Sequence, residues 1–115
     1  MEFTDTLKKN HEFRRLYSKG NSTVASTLVC YCRKTGRDTN RVGYTVSNKI
    51  GNAVTRNRIR RRLREIYRLH ERGMLPGHDI VIVARHRAAE ADYHRLERDV
   101  LRSFEKLSLL KEKDA

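Results

Sequence analysis

Asp79-Ile80-Val81-Ile82-Val83-Ala84 is the stretch on which the fold turns. A strand with one wet face alternates polar and apolar residues, whereas this run is apolar on both faces and so needs cover on both. It is therefore predicted to be a central strand. Just upstream, Gly73 and Pro76 stop a long basic helix read over residues 53–72.

Further upstream, Val42, Tyr44 and Val46 alternate with Gly43, Thr45 and Ser47, the pattern of a half-buried strand. Residues 23–33 alternate too, with Val24, Leu28, Cys30 and Cys32 on one face and Val29, Tyr31 and Arg33 on the other. Gly36, Asp38 and Asn40 between them have turn chemistry, which predicts that the two strands form an antiparallel hairpin. Asn10–Lys19 carries Phe13, Leu16 and Tyr17 at helical spacing, with Asn10 as N-cap and Gly20 as stop. Downstream, Tyr93, Leu96, Val100, Phe104 and Leu107 recur every three or four residues and make one apolar stripe of a helix over 90–110. Residues 110–115 are expected to form a flexible charged tail.

The 115 residues suffice for one compact domain with a single core, and one domain spanning 1–115 is expected. Twenty-six Lys and Arg against 14 Asp and Glu give a formal charge of +12, which favours a polyanionic partner, nucleic acid ahead of an anionic membrane. No apolar run approaches the roughly 18 residues of a spanning helix, and the first twenty residues do not read as a signal peptide, so a cytoplasmic location is expected. Cys30 and Cys32 point to one strand face and read as buried reduced thiols; as a Cys-x-Cys pair they supply two zinc ligands at most.

The basic helix carries the functional signal. Arg56, Arg58, Arg60, Arg61, Arg62, Arg64, Arg68 and Arg72 face only Glu65 and Glu71 within the same segment. At about 100° per residue, Ile59, Leu63, Ile66 and Tyr67 gather in one arc, and Arg60, Arg61, Arg64, Arg68 and Arg72 fan over the neighbouring side. The plainer reading is a solvated charged face, but such faces mix signs to limit repulsion. Arginine also grips two phosphate oxygens with its planar fork and stacks on bases, which lysine cannot do. Nucleic-acid binding is the better account. The segment before the helix, Lys49-Ile-Gly-Asn-Ala-Val, offers small residues where backbone N–H groups can meet phosphate, yet it lacks the Gly-Lys-Ser/Thr of a nucleotide-hydrolysing loop. A second signal is aromatic: Phe13 and Tyr17 lie i,i+4 on the first helix, and Tyr31 with Val29 lies on the strand face away from Cys30. Core packing explains Phe13 equally well, but a groove between helix and sheet would offer stacking surfaces to unpaired bases.

Val42-Gly-Tyr-Thr-Val-Ser47, Lys49-Ile-Gly-Asn-Ala-Val54 and Arg56-Asn-Arg-Ile-Arg-Arg61 together closely resemble the signature of the bacterial ribonuclease P protein family. The resemblance extends in order to residues 10–20, 28–31 and 79–85. It implies an α+β fold: a two-layer α/β sandwich with about four strands, three helices and a left-handed βαβ crossover, the hand opposite to the general rule. It also implies that Lys49, Arg56, Asn57, Arg58, Arg60, Arg61, Arg64 and Arg68 face a catalytic RNA. The cleft of Phe13, Tyr17, Val29, Tyr31, Thr45 and Ser47 is implied to hold the 5′ leader of precursor tRNA. Two positions depart from the family pattern: Asn48 stands where many members have a basic residue, and Arg62 adds a charge.

No compact acidic or histidine cluster offers the acid, base or metal ligands that phosphodiester hydrolysis needs, and His11, His70, His78, His86 and His94 are scattered. No catalytic residue and no metal or cofactor on the protein is expected. By the resemblance, Mg²⁺ resides on the RNA subunit, and the protein assists 5′ maturation of tRNA. Three other readings share parts of this pattern: a ribosomal or assembly protein, an autonomous nuclease, and a helical DNA-binding module. The first would leave precursor cleavage unchanged, the second would cleave without RNA, and the third would prefer duplex DNA.

Overall fold

The structure, a computed structural model, describes residues 4–7 and 9–111. Five strands, β1 (Thr4–Thr6), β2 (Asn21–Val24), β3 (Leu28–Lys34), β4 (Asn40–Thr45) and β5 (His78–Ala84), alternate with three helices, α1 (Asn10–Lys19), α2 (Ala53–His70) and α3 (Tyr93–Lys106). The sheet order is β1-β4-β5-β3-β2.

The apolar run takes the centre. β5 pairs parallel with β4 from Arg41↔Asp79 to Thr45↔Val83 and antiparallel with β3 from Leu28↔Ala84 to Lys34↔His78. The expected β3–β4 hairpin is therefore absent: the strands it would have joined lie on opposite sides of β5. The turn residues reverse the chain, but a turn does not choose the partner, and the run that most needs two neighbours wins the slot. Asn40 helps fix it, donating from Nδ2 to the Leu75 carbonyl (2.9 Å) and accepting from the His78 amide (2.8 Å).

Other expectations shift as well. The strand over 23–33 is two strands folded at residues 25–27, where the Ala25 amide donates to the Leu28 carbonyl at 2.8 Å. Val24 lies across from Val29, so it shares the face of Val29 and Tyr31 rather than that of Cys30, and it is 61% exposed. The sheet has five strands rather than about four, because β1, Thr-Asp-Thr, carries no apolar alternation to announce it and pairs only at the edge with β4. Asn10 is the first helical residue of α1; the cap is Lys9, without a side-chain bond. α2 gives way at Glu71–Gly73 to a 3₁₀ turn, and α3 begins at Tyr93, where the Asp92 carboxylate accepts from the Arg95 amide at 2.8 Å. At the start of the expected tail, Leu110 bridges Met74 and the Lys111 amide donates to the Gly73 carbonyl (2.8 Å); the rest of that tail, 112–115, lies outside the described residues.

The two sheet faces are covered unequally. Cys30, Cys32, Val42, Ile80 and Ile82 point to one face and pack under Ile59, Leu63, Ile66 and Tyr67 of α2 and Leu96, Val100 and Phe104 of α3. Each fully buried Leu, Ile or Phe there is worth about 1.5–3 kcal/mol over exposure. Asp99 of α3, itself buried, accepts from the Thr27 amide (3.1 Å) and hydroxyl (2.6 Å) and so holds the β2–β3 turn to this layer. The other face carries a single helix, α1, over a small core of Leu7, Leu16 and Val81 with Phe13, Tyr31 and Val83 at its margin. Ten residues of helix span about 15 Å, too little to close that face.

Candidate nucleic-acid interface

The 3₁₀ turn Asn48–Ile50 leads from β4 into α2, and the Asn52 side chain caps α2 by accepting from the Thr55 amide at 2.9 Å. The helix has no acid in its first turn, so its positive N-terminal end stays uncompensated by its own side chains. Its arginines divide into two groups. Asn57, Arg61, Arg64 and Arg68 are exposed, and Arg61, Arg64 and Arg68 line a shallow concavity with Glu65. Arg68 grips Glu65 through two bonds (2.6 and 3.1 Å), which lowers the Glu65 carboxyl below its ordinary pKa.

The second group is turned toward the protein. Arg58 donates to the Ala89 carbonyl (3.1 Å) and Arg62 to that of Ala91 (3.2 Å), tying α2 to the segment that leads into α3. Arg60 reaches the Val46 carbonyl at 3.4 Å, and Arg56 bonds the Asn48 side-chain oxygen and the Asn52 carbonyl. Asn48 thus presents an acceptor to Arg56 where a basic residue would repel it. Lys49 is exposed on the connecting turn. Of the residues assigned from the sequence to the RNA-facing set, Lys49, Asn57, Arg61 and Arg64 carry no side-chain bond to the rest of the described chain, whereas Arg58 is bonded to the Ala89 carbonyl.

Across the sheet, α1 builds one wall of a cleft. The Phe13 ring lies over Gly43, where an added Cβ would come within 2.6 Å of it, so glycine is what lets the ring settle. Tyr17 meets Tyr31 edge-on, with centroids 5.0 Å apart and planes at 70°, and its hydroxyl bonds the Thr45 hydroxyl at 3.0 Å. Asn10, Phe13, Arg14, Tyr17 and Thr45 line a concavity of about 400 Å³. Val29 is half-buried on the same face, and Tyr17 is 40% exposed. Ser47, by contrast, belongs to the adjoining depression with Lys49, Arg85 and Arg87, and its oxygen accepts from the Lys49 amide at 3.2 Å. Asn10, Arg14, Arg85 and Arg87 were missed in the sequence; the signal available was position, Arg14 beside Phe13 and the basic pair directly after the central strand.

Among the described residues, no group of three His, Cys, Asp or Glu side chains is placed to hold a metal ion. Asp79 is bound by Arg41 and Asp99 by Thr27. Cys30 and Cys32 are free thiols buried in the main core, and burial pushes both above the ordinary thiol pKa. No helix of the described residues is long and apolar enough to cross a membrane.

The chain thus carries both a basic helix and an aromatic cleft, and a family model described as ribonuclease P matches residues 1–108. The chain belongs to the ribonuclease P protein family. The ribonuclease P protein component of Natranaerobius thermophilus is 45% identical over 105 residues, covering 91% of each chain. That of Caldanaerobacter subterraneus subsp. tengcongensis is 43% identical over 108 residues, 94% of this chain and 93% of its own. Among solved structures, the Staphylococcus aureus RNase P protein superposes with a TM-score of 0.85 at 31% identity, over 92% of this chain and 97% of that one. The Thermotoga maritima RNase P protein gives 0.78 at 29%, over 85% and 93%. The family's α+β architecture is the one found here, three helices on a mixed open sheet.

Proposed function

We propose that the chain acts in a ribonuclease P holoenzyme as the subunit that binds RNA on two surfaces and leaves the cleavage to its RNA partner. The observation that carries this reading is the presence on one chain of two such surfaces: Arg61, Arg64 and Arg68 exposed along α2, and the open concavity of Phe13, Tyr17 and Thr45 beside α1. The exposed arginines of α2, with Lys49 and Asn57, neutralise phosphates of the catalytic RNA. The cleft of Phe13, Tyr17 and Tyr31 stacks unpaired bases of the precursor tRNA 5′ leader, with the Thr45 hydroxyl as a hydrogen-bonding group on its rim. Bases stack on aromatic faces without regard to sequence, which suits a site that must accept many leaders.

In this division of labour Mg²⁺ sits on the RNA, where it supplies the activated water and the stabilisation of the leaving oxygen. The protein contributes charge neutralisation and discrimination of precursor from mature tRNA, since the mature product has no leader to place in the cleft. Cytoplasmic action on precursor tRNA follows from the same reading.

The test is 5′ cleavage of a precursor tRNA by the cognate RNA at low Mg²⁺, with the wild-type protein, with Arg61→Ala/Arg64→Ala and with no protein. We expect wild type to restore cleavage and the double variant to need more Mg²⁺ or less monovalent salt for the same rate. Equal rates with and without wild-type protein would remove the reading in favour of a ribosomal or assembly role.

A further inference from the structure

α1 is a wall with two sides. Phe13, Arg14 and Tyr17 line the cleft on one side, while Arg15 and Glu12 line a second depression of about 340 Å³ on the other. Consecutive helical positions lie about 100° apart, so Arg14 and Arg15, both exposed, lean to opposite sides of the same short crest.

The second depression is polar and has an uneven charge. Lys9, Arg15, Arg33, Arg37 and Arg41 surround two carboxylates, Glu12 and Asp79. Both carboxylates are already taken: Arg41 binds the two Asp79 oxygens at 2.8 and 2.7 Å and also pairs with Glu12. Arg33 sits directly across from Asp79 on the neighbouring strand, yet the pair it would naturally form has gone to Arg41 on the opposite strand. Among the described residues no carboxylate lies within ion-pair distance of Lys9, Arg15, Arg33 or Arg37. Four unneutralised cations around a floor whose acids are spent have the charge and geometry of an anion seat, and guanidinium groups favour the bidentate grip that phosphate offers.

We propose that this depression holds backbone phosphates of the single-stranded RNA leader after the strand has left the aromatic cleft and crossed α1. The inference rests on the leader-binding reading above and extends it: the cleft stacks the bases nearest the cleavage site, and the seat of Arg15, Arg33 and Arg37 binds phosphates farther along. The two depressions are separated by a single helix about 10 Å across, whose solvent side carries Arg14, Arg15 and Ser18 and no acid. The second seat is dominated by charge: His11 is the one ring in its lining, and no Phe, Tyr or Trp lies there to match the stacking surfaces of the cleft.

The experiment measures binding of precursor tRNAs whose leaders are lengthened one nucleotide at a time to the reconstituted holoenzyme, using wild-type protein, Arg33→Gln/Arg37→Gln and Phe13→Ala/Tyr17→Ala. Wild type is expected to gain affinity in two stages, the second worth about tenfold and lost with salt in proportion to the phosphates engaged. The arginine variant should keep short-leader affinity, which also reports that it folds and assembles, and lose the second stage. Persistence of the second stage in that variant overturns the proposal. So does an equal loss at every leader length, which would assign the depression to the RNA subunit. Indifference of short leaders to the aromatic variant instead overturns the underlying cleft reading.

Discussion

Replacing Gly43 by alanine places a methyl group 2.6 Å from the Phe13 ring, closer than any stable contact, and the ring must swing toward solvent. The cleft should then lose leader affinity by about tenfold while affinity for the RNA subunit alone stays at the wild-type value, because Gly43 and the α2 arginines lie on opposite faces of the sheet. Titration of precursor and mature tRNA against the holoenzyme checks this: discrimination between them should fall. At this scale the aromatic set was legible, since i,i+4 spacing on α1 and alternation on β3 are local properties of the sequence. The role of Gly43 was not, because what crowds it comes from a helix thirty positions away, and nothing near Gly43 encodes that approach. Arg33 escaped notice for the same reason: its availability depends on the choice Asp79 makes between two flanking strands.

At the scale of the element, α2 carries two arginine sets with different surroundings, one bonded to backbone carbonyls and one exposed. Arg58→Met/Arg62→Met removes the bonds to the Ala89 and Ala91 carbonyls and should cost about 1–3 kcal/mol of stability, read as a lowered urea midpoint. Arg61→Ala/Arg64→Ala should leave that midpoint within about 0.5 kcal/mol and reduce RNA affinity instead. Equal effects of the two pairs on both measurements would mean the division is wrong. The helices themselves were legible because each carries a 3.6-residue apolar stripe, and Ile59, Leu63, Ile66 and Tyr67 are all buried as their spacing required. The split between structural and exposed arginines was not, because the carbonyls that claim Arg58 and Arg62 arrive from a segment some thirty residues later. β1 left no trace at all, being three polar residues whose strand character comes only from the edge they pair with.

For the whole molecule, alkaline pH is the informative variable. Burial raises the Cys30 and Cys32 thiols and the Tyr44 and Tyr67 hydroxyls above their ordinary values, so the fold prefers all four protonated. The unfolded chain releases its thiol protons near the ordinary 9.0, where the folded chain still holds them. Stability is therefore complete below that point and falls as pH rises through it, by about 1.4 kcal/mol per pH unit for each thiol until the folded pKa is reached. Urea midpoints should stay level from neutrality to about pH 8.5 and then drop, with a shallower drop in Cys30→Ala/Cys32→Ala. A level midpoint through about pH 10 would refute the assignment. Charge and class were readable from composition at this scale, but strand order was not: alternation tells which face is wet and says nothing of which edge meets which.

The place of β5 also governs when this chain can fold. Among the described residues it is the last strand made, yet it is the one that pairs with both β3 and β4. A nascent chain ending before His78 holds those two strands with an empty slot between them, and the apolar stripe of α2 has a broken floor beneath it. At roughly 5–20 residues per second, the stretch from Arg72 to Ala84 keeps the arginine-rich segment waiting on the order of a second. Until then the β2–β3 and β1–β4 ladders can pair only as separate pieces, and the continuous sheet waits for the strand that joins them.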